Sequence, residues 1–219
     1  MENRHCRQML EEIASEVRET AHLIGRARLS DAVMEAMAQV PREAFVSPDL
    51  RREAYANYPL PIDHGQTISQ PYMVALMTDL LEPRPQHRVL EVGTGCGYQS
   101  AVLSLLVERV VSLEVIKALA TSARARLARL GYGNVEVIHA DGGGGWPELA
   151  PYDGIIVTAA PTEIPPALIE QLADDGRLVI PVGGQYSTQQ LLRVTKGGDG
   201  TVKVDTLLPV RFVPLTGDA

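Results

Sequence analysis

Three acids and a glycine loop carry the most chemistry in this 219-residue chain. They are Glu91, Glu114 and Asp141, with the loop inside "VLEVGTGCGYQSAVL". Gly93 and Gly95 let a strand turn sharply into a helix and let a ligand approach the backbone. Amides at the helix start then face that ligand. A dinucleotide loop reads G-x-G-x-x-G. Here Gly97 comes one position early and Tyr98 stands where that pattern needs glycine, so the turn is expected to exclude a pyrophosphate. The E-x-G-x-G-x-G form suits a nucleoside ligand instead. Glu114 ends the next strand, where a carboxylate accepts from both hydroxyls of a ribose. Asp141 follows the third strand and can accept from an adenine amino group. Taken alone, Glu114 reads more readily as a solvated strand end. Together the three acids sit at the carboxyl ends of successive strands, which topology brings to one crevice.

The second stretch is "PLPIDHGQTISQPYM", residues 59 to 73, polar and rich in proline. Ser69 is expected to cap the helix that carries Met73, Val74, Met77, Leu80 and Leu81, with Pro71 in its first turn. His64 reads as an exposed loop residue. No Ser-His-Asp order and no metal-ligand cluster lies near the glycine loop.

The elements that position these residues follow from periodicity. Met9, Leu10, Ile13, Val17, Ala21 and Ile24 make one helical stripe. Ser30 caps a second helix with Val33, Met34, Met37 and Val40 on one side, and Ser47-Pro48 resembles another helix start. From Arg88 strands and helices alternate: "RVLEV", "RVVSLE", "NVEVI", "YDGIIVTAA" and "GRLVIPVG" are strands, and one helix stops at Gly131. That alternation predicts a mostly parallel, doubly wound α/β sheet with helices on both faces. After Gly184, "QQLLRVTK", "VKVDTLL" and "PVRFVPLT" read as three antiparallel strands. The expected organisation is a single domain over 1–219. Helices and an active-site flap occupy 1–82, a cofactor-binding core 83–184 and terminal strands 185–219.

Composition narrows the class. The net charge is -7 and 45% of residues are hydrophobic. An acidic chain without a basic run disfavours a nucleic-acid partner. Nothing approaches the ~20 apolar residues of a membrane span. Two cysteines, Cys6 and Cys96, suggest no disulfide framework, and the opening "MENRHCRQMLEE" has no apolar leader, so a reducing cytoplasmic compartment is expected.

The glycine motif with an acid after the next strand resembles class I S-adenosylmethionine-dependent methyltransferases. "VPREAFV", "YANYPLPIDHGQTISQPYMVALMTDLL", "RVLEVGTGCGYQSAVL", "YDGIIVTAAPTEIPPALIEQL", "GRLVIPVG" and "VRFVPLTG", in order over residues 30 to 216, are similar to the protein-L-isoaspartate O-methyltransferase family. The resemblance implies a repair enzyme. It would pass a methyl group from S-adenosyl-L-methionine to the α-carboxylate of L-isoaspartyl residues, leaving S-adenosyl-L-homocysteine. The resulting ester closes to a succinimide that reopens partly to aspartate. By the same resemblance Ser69 is the active-site serine. The implied cofactor set is Gln66, Thr67, Ile68, Ser69, Glu91, Gly93, Thr94, Gly95, Gly97, Glu114, Val115, Asp141, Gly142 and Thr216. The implied peptide-holding set is Thr67, Ile68, Ser69 and Val213, with "RFVPLT" helping to close the site. Its partners would be isoaspartyl peptides and proteins, met by a monomer without metal. Two positions depart from the family. Cys96 stands where serine is common, and Gly142 to Gly145 replace bulkier residues.

The readings that compete are a methyltransferase of the same fold with another acceptor, a nicotinamide oxidoreductase, and a module that binds S-adenosylmethionine without turnover. A carboxylate acceptor has a pKa near ~3.5 and is already ionised at neutral pH, so the expected chemistry needs no general base.

Overall fold

The computed structural model describes residues 4–184 and 186–217. Helix α1 (Arg4–Ile24) buries Met9, Ile13, Val17 and Ile24. It packs on α2 (Asp31–Gln39), on α3 (Pro71–Leu80) and on the last strand of the sheet, so it belongs to the domain. Ser30 caps α2 by accepting from the Val33 amide at 3.4 Å. The Asp79 carboxylate braces the same junction: it accepts from the Ser30 amide at 2.8 Å and pairs with Arg26. Ser47-Pro48 opens only a 3-10 turn.

The polar stretch before α3 is a small hairpin. Strands β1 (Leu60–Pro61) and β2 (Thr67–Ile68) pair antiparallel around a turn in which His64 takes a left-handed conformation, φ 61°. Ser69 is not the cap of α3. Gln70 holds that position without a side-chain bond. The cap comes from outside, where Asn57 Oδ1 accepts from the Tyr72 amide at 3.0 Å. Every residue of α3 is buried, which fixes the hairpin at one end.

The main sheet has seven strands: β3 (Arg88–Val92), β4 (Arg109–Glu114), β5 (Val135–His139), β6 (Tyr152–Val157), β7 (Leu172–Val182), β8 (Gln189–Lys196) and β9 (Val202–Val210). Their order is β5-β4-β3-β6-β7-β8-β9. The first five in this order run parallel, and β8 and β9 are antiparallel additions. Helices α4 (Tyr98–Ser104), α5 (Lys117–Leu130) and α6 (Pro166–Glu170) make the crossovers. Helix α5 ends at Gly131, φ 89°. One apolar core joins α1–α5 to one sheet face, and a second packs α6 on the other.

The sequence predicts three terminal strands, and the structure forms two. β8 starts at Gln189, opposite Val210, so the chain beyond Val210 has no β8 backbone to pair with. It runs on as an extended strap that makes one parallel bridge, Ala160 to Pro214. Among the described residues no helix is long and apolar enough to cross a membrane.

Two buried ionisable groups hold this frame. Arg42, in a 3-10 turn, is fully buried. Its Nε donates to the Ala54 carbonyl at 2.7 Å and its Nη2 to the Ser69 carbonyl at 2.6 Å. Its guanidinium lies 4.7 Å from the centroid of the Tyr98 ring, which meets Phe45 edge to face. Glu91 is also fully buried, with hydroxyls of Ser100 and Ser112 donating to its Oε2 while Oε1 has no partner. Burial pushes its carboxyl up to about 8, despite the lowering effect of the two serines.

Arg42→Met would leave two carbonyls unpaired, at about 1–3 kcal/mol each, partly offset by relief of a desolvated cation. The expected net loss is about 2 kcal/mol in a urea titration, and unchanged stability would remove Arg42 from this role. Glu91 gives a pH signature. Its folded value of about 8 lies above the ordinary 4.5, so between them the native state keeps a proton that the unfolded chain has lost. Its contribution is complete below the ordinary value and disappears as pH rises through the folded one. Relative to wild type, Glu91→Gln should therefore gain on the order of 3 kcal/mol from pH ~5 to ~8. Parallel stability profiles would show that Glu91 does not titrate there.

Candidate active site

The reversal of strand order at β3 opens a crevice at the carboxyl ends of β3, β4 and β6. A cleft of ≈ 770 Å³, its open mouth included, occupies it. That is the size of a small-molecule site. Its floor is the glycine loop. The amides of Gly93 and Thr94 both donate to Leu113 O, at 2.9 and 3.1 Å. Gly93 has φ 96°, and a Cβ there would lie 2.4 Å from Thr158 Oγ1, which itself donates to Gly93 O at 2.7 Å. A side chain at residue 93 is thus excluded twice, by conformation and by contact.

Glu114 forms one wall and is oriented before any ligand arrives. Gly95 N donates to its Oε2 at 2.7 Å and Ile116 N to its Oε1 at 3.0 Å. Each carboxylate oxygen keeps acceptor capacity for a further donor. Two such oxygens, oriented by backbone amides, fit a vicinal diol. The Val115 carbonyl beside it is tied to His139 Nε2 at 3.1 Å.

The hairpin covers the loop: Ile62 Cδ1 would sit 3.5 Å from a Cβ on Gly95. Gln66, Thr67, Ile68 and Ser69 line the cleft from this side, and Val213, Pro214, Leu215 and Thr216 of the strap line it from the other. The Ser69 carbonyl is engaged by Arg42, and the residue, half-buried, lines the cleft.

Gly142 lines the cleft at the end of β5, where a Cβ would come within 2.2 Å of Val92 Cγ1. The glycine-rich run is not slack. Gln171 Oε1 accepts from Trp146 N and its Nε2 donates to Gly144 O, both at 2.8 Å. Gly145 leaves the room this amide needs, since a Cβ there would meet Gln171 Oε1 at 2.4 Å.

Of the residues singled out by sequence, the cleft brings together Gln66, Thr67, Ile68, Ser69, Gly93, Thr94, Gly95, Glu114, Val115, Gly142, Val213 and Thr216. It does not bring Glu91, Gly97 or Asp141. Glu91 points into the core behind the loop, where Thr94 Oγ1 and Ser112 Oγ, 2.6 Å apart, link it to the loop. Gly97 caps α4 at φ 88° and packs under Leu127. Asp141 stands at the rim, accepts from Gly143 N at 2.8 Å and lies against Gly217 of the strap. The Tyr98 ring is buried against Arg42 and Phe45. Thr158 and Ala159 were missed, although their place after β6 follows the rule that found Glu114. Among the described residues no cluster of His, Cys, Asp and Glu could hold a metal ion.

The comparisons with known proteins agree with this geometry. The family model described as protein-L-isoaspartate(D-aspartate) O-methyltransferase matches residues 19–219. A protein-L-isoaspartate O-methyltransferase 2 of Polaromonas sp. is 56% identical over 209 residues, 95% of this chain and 99% of that protein. A protein-L-isoaspartate O-methyltransferase of Myxococcus xanthus is 52% identical over 90% of this chain and 94% of its own length. Among solved structures, a putative protein-L-isoaspartate O-methyltransferase of Plasmodium falciparum, in complex with S-adenosyl-L-homocysteine, superposes with a TM-score of 0.78 at 29% identity. That match covers 99% of this chain and 100% of the other. With a family model spanning nearly its whole length and relatives above half identity, this chain belongs to the protein-L-isoaspartate(D-aspartate) O-methyltransferase family.

Proposed function

We propose that this chain repairs damaged proteins by transferring a methyl group from S-adenosyl-L-methionine to the α-carboxylate of L-isoaspartyl residues. One observation carries the reading. Flap, glycine loop, acid and strap, far apart in sequence, surround a single cleft. All four come from one chain, so we take the monomer as the working unit.

The residues present fit the cofactor. Glu114 would take the ribose hydroxyls with the two oxygens that Gly95 and Ile116 already orient. Gly93 and Gly142 face the cleft with backbone alone. Asp141, at the rim, would accept from the adenine amino group. When bound, S-adenosylmethionine supplies a methyl carbon made electrophilic by a sulfonium. The protein's own work is alignment and exclusion of water. Ser69, on the cleft wall, would orient the acceptor carboxylate through its hydroxyl without protonating it. The hairpin and the strap would keep water from that anion, which water stabilises more than it does the charge-dispersed transition state. Thr67, Ile68 and Val213 would hold the flanking peptide.

Peptides rather than nucleic acids are the fitting partners for a chain of net charge -7. Cys6 and Cys96 are both buried thiols, which suits a reducing, cytoplasmic setting.

The decisive assay is labelled methyl transfer to matched isoaspartyl and aspartyl peptides. A base-labile ester on the isoaspartyl peptide alone is expected; activity on neither would redirect the search to another acceptor. Ser69→Ala should lower the rate at saturating cofactor by about ten- to a hundredfold while leaving S-adenosylhomocysteine affinity intact. An unchanged rate would take Ser69 out of the mechanism. Glu114→Ala should weaken S-adenosylhomocysteine binding by ~1.5–3 kcal/mol, read by calorimetry, and wild-type affinity would refute the diol assignment.

A further inference from the structure

The strap leaves the sheet before it reaches the cleft, and one side chain bridges the gap. β8 begins at Gln189, whose backbone faces Val210. Two residues further on, the Gln189 amide takes the place of a missing strand. Its Oε1 accepts from Phe212 N at 2.6 Å and its Nε2 donates to Phe212 O at 3.1 Å. A primary amide offers the same donor and acceptor as a peptide group. Gln189 is only 3% exposed, so water hardly competes for these bonds. Gly183 makes the room: a Cβ there would lie 2.9 Å from Gln189 Cα.

Val213 to Thr216, just past this point, line the cleft. Val213 O accepts from Ala160 N at 2.8 Å, and Leu215 N donates to Ala160 O at 2.9 Å. These two bonds form only when the strap arrives at the right height and register. The Gln189 clamp lies directly upstream and sets both.

We propose that Gln189 is a positioning residue for the methyl acceptor: its amide fixes the strap that forms the acceptor side of the cleft. This rests on the methyl-transfer reading above. Gln189 touches neither reactant; it acts through Phe212 and the strap.

Gln189→Met keeps the length and removes both bonds. The isoaspartyl-peptide KM should rise about tenfold, with a smaller change in kcat and S-adenosylhomocysteine affinity within about twofold of wild type. Hydrogen exchange at the Phe212 and Leu215 amides should quicken about tenfold while β6 and β7 keep their protection. Gln189→Glu supplies a second test and serves alone if the Met variant does not fold. An ionised carboxylate cannot donate to Phe212 O, whereas a protonated one can. The peptide KM of that variant should therefore return toward the wild-type value as pH falls from about 8 to about 6, with wild type showing no such recovery.

A Met variant with wild-type KM and unchanged strap exchange overturns the proposal. So does a Glu variant whose pH profile parallels wild type, or a loss of S-adenosylhomocysteine affinity as large as the rise in KM. If wild type binds S-adenosylhomocysteine yet leaves the isoaspartyl peptide unmethylated, the substrate reading falls. The clamp is then judged by exchange alone: faster strap exchange in the variant keeps it, and unchanged exchange removes it.

Discussion

A buried cation without a carboxylate partner ties the covering elements to the core. Arg42 reaches three segments at once: the Ala54 carbonyl, the Ser69 carbonyl and the face of Tyr98. Arginine suits this place because its flat fork can donate in two directions while its face stacks on a ring. A lysine ammonium would have to choose. Burial lowers the Arg42 pKa, yet a guanidinium keeps its charge inside proteins. Backbone carbonyls and a ring quadrupole must then replace water around that charge. The result is a fixed distance between Ser69 on the hairpin and Tyr98 at the end of the glycine loop. Those elements form the roof and the floor of the cleft.

The same solution recurs with neutral groups. Gln171 holds the glycine-rich loop through Trp146 N and Gly144 O, and Gln189 holds the strap through both polar groups of Phe212. Each amide sits beside a glycine that leaves room for it, Gly145 for the first and Gly183 for the second. Irregular chain has no ladder to satisfy its polar groups, and buried amides supply one. The glycine-rich loop, the end of the hairpin and the strap are each fixed by a side chain from or beside the regular frame.

Much of the fold is legible in the chain because it rests on local patterns. Apolar runs followed by helices give β3 to β7, and Gly131 stops α5 where a left-handed residue is required. Glu114 is legible because position at a strand end implies a place in the crevice. What escapes is set by distant contacts. Ser69 has the residue type of a cap, yet Asn57, fifteen residues before Tyr72, does that work at Tyr72 N. Arg42 sits in a short turn and resembles any exposed arginine until Tyr98 folds over it. Tyr98 reads in the sequence only as a break in the dinucleotide pattern, and its place against Arg42 and Phe45 is set by the tertiary fold. The third terminal strand fails because β8 begins too late in the chain to pair with it, a fact about registry rather than propensity.

The chemistry explains why so little of the site looks catalytic. An acceptor that is already an anion needs no base to be activated, so no histidine, metal or activated nucleophile has to be placed beside it. What it needs is a dry, ordered cleft and a donor that steadies one oxygen. Such demands are met by glycines, backbone groups and covering loops, whose residue types are common everywhere. Glu91, whose carboxyl burial pushes far above the ordinary carboxylate range, lies behind the loop rather than in the cleft. Its Oε2 accepts from Ser112, which neighbours Thr94, so its protonation state bears on loop geometry more than on proton transfer. Function in this molecule is therefore written in how covering segments are held.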